Sequence, residues 1–130
     1  MTQTQEIPKG ELMIRTVAMP SDTNANGDIF GGWLLAQMDI AGGVAAMGYA
    51  KGRVATVAIE SMVFHRPVFI GDILCAYADR VKVGRTSITY RIEAWVVRRA
   101  GGEKVKVTEG IFTYVAIDEN RKPRIVEKPT

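Results

Sequence analysis

A chain of 130 residues, 47% hydrophobic and 24% charged, has the size and balance of one globular domain, which excludes a disordered polymer and leaves no room for two domains. Its net charge of +3 is spread over scattered residues such as Lys82, Arg85, Arg91 and Arg98, so it favours an anionic ligand without making a nucleic-acid surface. With one cysteine, Cys75, and one histidine, His65, the chain can form neither an internal disulfide nor a four-ligand structural zinc site, and it reads as a protein of a reducing, cytoplasmic setting.

The first ten residues, MTQTQEIPKG, have neither a basic nor an apolar signal region, so no secretory leader is expected. ELMIRTVAMP predicts a first strand, stopped by Pro20, and SDTNANGD a loop, because Asn-Gly and Asp favour turns. From about Gly31 to Ala50 the pattern predicts one helix of about 20 residues, spanning roughly 30 Å. It is apolar enough to raise the question of a membrane span. Asp39 near its centre argues against one, since a charge at mid-bilayer costs about 2.5–3.5 kcal/mol on insertion scales.

RVATVAIESMVFHRPV and GDILCAYADRVKVG predict two strands parted by Pro67 and Gly71. SITYRIEAWVV alternates, with Ile88, Tyr90, Ile92, Ala94 and Val96 on one face and Ser87, Thr89, Arg91 and Glu93 on the other. RRAGGEK is then a hairpin turn and VKVTEGIFTYVAI its returning strand. The polar tail DENRKPRIVEKPT predicts a loose end. This is an α+β plan, a single domain over 1–130 with a core of about 11–118 and flexible ends. Strands in a row joined by short turns are expected to be antiparallel neighbours. One helix covers only one face of a five-stranded sheet, so the sheet must curl around it. Ala36, Ala41, Gly42, Gly43, Ala45, Ala46 and Gly48 fit that closeness, although each helical glycine costs about 1 kcal/mol relative to alanine.

The candidate chemistry lies in TNANGDIFGGWLLAQMDIAGG. Gly31 and Gly32 stand where the first N–H groups of a helix lack partners, and the helix dipole favours negative charge there. With no side chains in the way, a carbonyl can reach those donors, which is the outline of an oxyanion hole. A tight loop-to-helix turn would need the same glycines. Asp39, seven positions on, shares a helix side with Gly32 and has no cationic neighbour in sequence. It reads either as a general base or nucleophile or as a structural carboxylate bonded to a distant backbone N–H. Seven residues of helix put roughly 10 Å between Gly32 and Asp39, so one reacting carbonyl cannot touch both within one chain. If both act, a two-fold dimer with antiparallel helices must join them.

MPSDTNANGDIFGGWLLAQMDIAGG, RVATVAIESMVFHRPVFIGD and KVGRTSITYRIEAWV together resemble the YciA-type acyl-CoA thioesterases of the hotdog fold, over about Arg15 to Ile117. The resemblance implies a five-stranded antiparallel sheet wrapped around a long helix. It also implies dimers formed through sheet edges and hexamers made as trimers of those dimers. It places the catalytic aspartate at Asp39 and the carbonyl-polarising glycine at Gly32, with Gly31 beside it, and a water-holding asparagine at Asn24. The loop near the coenzyme A moiety falls on Gly84, Arg85, Thr86 and Ser87, where a guanidinium suits a phosphate. No cofactor and no metal are implied, and the partner is acyl-CoA rather than nucleic acid or membrane. One departure is FHRP, where His65 stands in place of an apolar residue. Two other classes stay in view. A non-catalytic acyl-CoA-sensing module would leave Asp39 idle, and a hotdog dehydratase would want its histidine near the helix.

Overall fold

The structure, a computed structural model, describes residues 6–99 and 101–127. Its elements run β1 (Glu11–Val17), a short 3₁₀ turn (Pro20–Asp22), α1 (Gly31–Ala50), β2 (Val54–Phe64), β3 (Ile73–Val83), β4 (Ser87–Val97) and β5 (Lys104–Ala116). The helix limits are those expected from sequence. It begins after Phe30, which offers no side-chain cap, and ends at Lys51, whose backbone turns left-handed with φ 54°. All strand pairs are antiparallel, in the order β1-β3-β4-β5-β2.

The sheet wraps α1 through one buried seam. Leu34, Met38, Ala41, Gly42, Ala46 and Ala50 form the helix side, and Ile88, Ile92, Phe112 and Tyr114 face them from β4 and β5. At Gly42 side chains of the sheet press directly on the helix backbone. A Cβ built there overlaps the Tyr114 hydroxyl and Ile92 Cδ1, and lies 2.7 Å from the Tyr114 Cζ. The glycine's cost in helix propensity is therefore the condition for close packing against the sheet.

Three sequence expectations need correction. First, β2 and β3 are consecutive but not neighbours, because β2 pairs with β5 at one edge and β3 lies beyond β4. The link from His65 to Asp72 crosses that gap. Asp72 anchors it while almost fully buried, accepting from the backbone N–H of Phe69 (2.8 Å) and Arg99 (3.3 Å) and from the Arg98 guanidinium (2.7 Å). Arg98 also donates to the Pro67 carbonyl at 3.0 Å. Asp72→Ala should thus cost about 1–3 kcal/mol in urea or thermal unfolding, the scale for leaving buried donors without their acceptor. A loss below about 1 kcal/mol would show that the crossing is held by packing alone.

Second, Glu93 is not on a solvated face. It is buried beside Trp95, whose indole Nε1 donates to it at 2.8 Å. Cys75, Tyr77 and Trp95 form a small cluster on the sheet's outer side, where Lys104 and Lys106 lie over the rings of Tyr77 and Trp95. Alternation marks which residues share a face but not whether that face is covered.

Third, the tail is not loose through residue 127. Asp118 Oδ1 accepts from the N–H groups of Asn120 and Lys122, closing a turn. Arg124 then donates from Nη2 to the Ala50 carbonyl at 2.7 Å, satisfying an acceptor at the helix end. Val126 is buried in the core. The loose ends expected at residues 1–5 and 128–130 lie outside the described residues.

Candidate active site

The loop before α1 is built around Asn24. Its Oδ1 accepts from the N–H groups of Asn26 (2.9 Å) and Asp28 (3.1 Å), and its own N–H donates to the Asp28 carbonyl at 2.7 Å. A short bridge between Thr23 and Ile29 closes the loop. The side-chain oxygen of Asn24 is thus committed to the turn, and its NH₂ is the group left to meet a ligand. The chain then enters α1 with Phe30 donating to the Asp22 carbonyl at 3.1 Å and Leu34 to the Phe30 carbonyl at 3.3 Å. Among the described residues nothing accepts from the N–H groups of Gly31, Gly32 or Trp33. Gly31 and Gly32 are both exposed, and a Cβ at Gly32 would meet no atom within 4 Å. Three free donors at a helix N-terminus make an anion or carbonyl site.

Asp39 is half-buried and is not left unpartnered. Its Oδ1 accepts from the Thr56 hydroxyl at 2.7 Å and from the Tyr114 hydroxyl at 3.1 Å. Tyr114 also donates to the Asp39 backbone carbonyl at 3.0 Å. Its phenol is held above the ordinary range, first by burial and then by the Asp39 charge and bond, so it remains a donor. Oδ2 has no partner among the described residues. One carboxylate oxygen is fixed by two hydroxyls while the other stays open for chemistry. Sequence reading missed both hydroxyls, because they lie 17 and 75 residues away. A large aromatic opposite Gly42 was the one signal that could have found Tyr114.

No hydrogen bond among the described residues joins Asp39 to Asn24 or to the helix start. The chain carries the donors and the carboxylate on one helix, and it does not bring them together.

Gly84, Arg85, Thr86 and Ser87 make the β3–β4 turn. The Gly84 N–H donates to the Ser87 carbonyl at 2.8 Å, and a Cβ on Gly84 would sit 2.6 Å from Ser87 Oγ. Two further bonds fix the loop from outside, Ala116 N–H to the Thr86 carbonyl (2.9 Å) and Val126 N–H to the Arg85 carbonyl (2.8 Å). The Arg85 side chain is exposed and forms no ion pair with the described residues. It is a free guanidinium on a rigid turn.

Beside Gly31 opens a groove of about 350 Å³ with Leu34, Phe64 and Val68 as apolar wall and His65 and Arg66 at one side. His65 and Arg66 also line a polar pocket with Glu6, Lys106 and Glu109. In that pocket His65 Nε2 lies 3.0 Å from Glu109 Oε2, and Lys106 Nζ lies 3.1 Å from the same oxygen. The bond to His65 is the main force holding the Glu109 carboxyl below its ordinary range.

A family model described as the thioesterase superfamily matches residues 26–102. The chain is 55% identical over 127 residues to the acyl-CoA thioester hydrolase YciA of Salmonella typhimurium, spanning 95% of this chain and 96% of that one. The chain belongs to the thioesterase superfamily, in its YciA group. Among solved structures, a hexameric thioesterase of Yersinia pestis matches with a TM-score of 0.91 and 52% identity, over 95% of this chain and 100% of that one. A hexameric hotdog fold thioesterase of Campylobacter jejuni matches with a TM-score of 0.85 and 42% identity, over 91% of each. The resemblance read in the sequence, and with it the hotdog arrangement of sheet and helix, stands on these matches. Among the described residues no helix is long and apolar enough to cross a membrane, and no three His, Cys, Asp or Glu side chains cluster as metal ligands do.

Proposed function

We infer that the chain is an acyl-coenzyme A thioesterase, hydrolysing the thioester to a free carboxylic acid and coenzyme A. The observation that carries the reading is Asp39, with Oδ1 held by Thr56 and Tyr114 and Oδ2 open, on the helix whose first N–H groups are unpaired. The thioester carbonyl docks on the Gly32 N–H, with Gly31 beside it, and these donors stabilise the oxyanion as it develops. Asp39 either draws a proton from water as that water attacks, or attacks first and forms an anhydride that water then opens. Asn24 offers its NH₂ to the water. Coenzyme A leaves as a thiol, which needs little acid assistance. Nothing in these steps calls for a metal or an organic cofactor.

The two halves of the site meet across a dimer. β2 is an edge strand, with Val57, Ile59, Val63 and Phe64 exposed, the kind of edge that seeks a partner. Antiparallel pairing of a strand with its own copy matches positions equidistant from the axis. A two-fold near Glu60 therefore sets the Thr56 end of one β2 beside the Phe64 end of the other. Thr56 holds Asp39, and the Phe64 ring lies 3.7 Å from a Cβ built on Gly31. The carboxylate of one protomer thus arrives at the helix start of its partner. Three such dimers would give the hexamers seen in the Yersinia and Campylobacter relatives.

Thiol release measured across a panel of acyl-CoAs tests the activity, and its absence from folded protein would overturn the reading. The Gly84–Ser87 turn supplies a second test. Arg85→Ala should raise KM for acyl-CoA by about tenfold and leave a nucleotide-free thioester nearly unaffected, because a phosphate contact far from the carbonyl gives uniform binding. Equal losses on both substrates would make Arg85 a structural residue.

A further inference from the structure

We propose that His65, with Arg66, closes the acyl-chain groove and sets the length of acyl chain this enzyme prefers. The proposal rests on the thioesterase reading and names the substrate class of that same site. The groove of about 350 Å³ is lined by Gly31 itself, so a carbonyl bound at the helix start has the groove as its immediate neighbour. Its occupant is the acyl chain, since Leu34, Phe64 and Val68 offer apolar wall to a hydrocarbon beginning at that carbonyl. At about 30 Å³ per atom, the share of one water in the liquid, it holds roughly a dozen heavy atoms.

One side of the groove is charged. His65 and Arg66 line it and also line the polar pocket holding Glu6, Lys106 and Glu109. Each side chain has a partner on the pocket side. His65 is bonded to Glu109 at 3.0 Å, and Arg66 Nη1 donates to the Lys106 carbonyl at 3.2 Å. Both backbone N–H groups are also taken, by the Val107 carbonyl at 2.7 Å for His65 and 3.2 Å for Arg66. A methylene finding apolar wall gains about fourfold in binding. One pushed against this wall gains nothing and must strip water from bonded polar groups. Selectivity should therefore rise with chain length while the groove fills and stop near medium chains.

The test is kcat/KM for straight-chain acyl-CoAs from 2 to about 16 carbons, on wild type, His65→Leu and His65→Gln. His65→Leu should raise the hexadecanoyl-to-decanoyl ratio at least tenfold and move the optimum to longer chains. His65→Gln, still polar, should keep the wild-type ratio. If His65→Leu does not fold, His65→Met carries the same expectation. An unchanged ratio in the apolar variants, or the same shift in His65→Gln, overturns the proposal while wild-type turnover upholds the thioesterase reading. Wild-type protein that hydrolyses no acyl-CoA overturns both.

Discussion

Asp39→Asn should lower kcat by about 10²–10⁴-fold, the range for removal of a positioned acid, base or nucleophile. The amide oxygen of asparagine can still accept from Thr56 and Tyr114, whose hydroxyls hold Oδ1 in the native protein. The fold and the local geometry should therefore persist, and the loss should fall on chemistry rather than on stability. Substrate should still bind, because the Gly31–Trp33 donors and the Gly84–Ser87 turn are untouched. Steady-state hydrolysis of a preferred acyl-CoA, beside an unfolding curve for each protein, separates the two. Near-normal turnover by folded Asp39→Asn would sink the mechanism. A collapsed unfolding midpoint would instead make Asp39 a structural carboxylate, the other reading open at the level of sequence.

Two dead enzymes should make a live one. Asp39→Ala lacks the carboxylate and Gly32→Pro lacks the donor N–H, so each alone should be inactive. Proline is tolerated in the first turn of a helix, and open space around Gly32 leaves room for its ring. When the two proteins are mixed in equal amounts and exchange subunits, about half the dimers should be mixed. Each mixed dimer carries one site with both defects and one with neither, so about a quarter of wild-type sites should return. Unfolding curves and subunit-exchange measurements on both parents come first. With exchange demonstrated, no recovery would mean that each chain assembles a complete site, and the two-fold pairing of β2 would be wrong.

Sequence periodicity reports local geometry, and here it located α1 to the residue and the inward face of β4 correctly. The donor glycines and Asp39 were legible because a helix start and a mid-helix charge are local features. Thr56 and Tyr114 were not, since they reach Asp39 only through the curl of the sheet. The same limit explains the misplaced β2. Short links usually join neighbours, and nothing near residues 65–72 announces that Asp72 and Arg98 will tie a crossing together. The tail misled for a related reason. Its polar composition concealed Val126, one apolar residue that docks in the core, and Arg124, whose charge serves the carbonyl of Ala50.

The position of β2 also bears on how the protein is made. Phe64 pairs with Thr108 and Val54 with Ala116, so the strand leaves the ribosome long before β5, its one neighbour among the described residues. At 5–20 residues per second the delay is roughly 2–12 s. Throughout that interval a strand bearing Val57, Ile59 and Val63 has both edges open to any other nascent chain. β2 does not stay regular: its register breaks between Thr56 and Ala58 and again between Glu60 and Val63, and Ser61 takes a positive φ of 56°. Such irregularities hinder indiscriminate pairing along an edge. In the proposed dimer a second subunit takes the edge of β2 opposite β5, and β2 presents that single edge only after translation has passed residue 116.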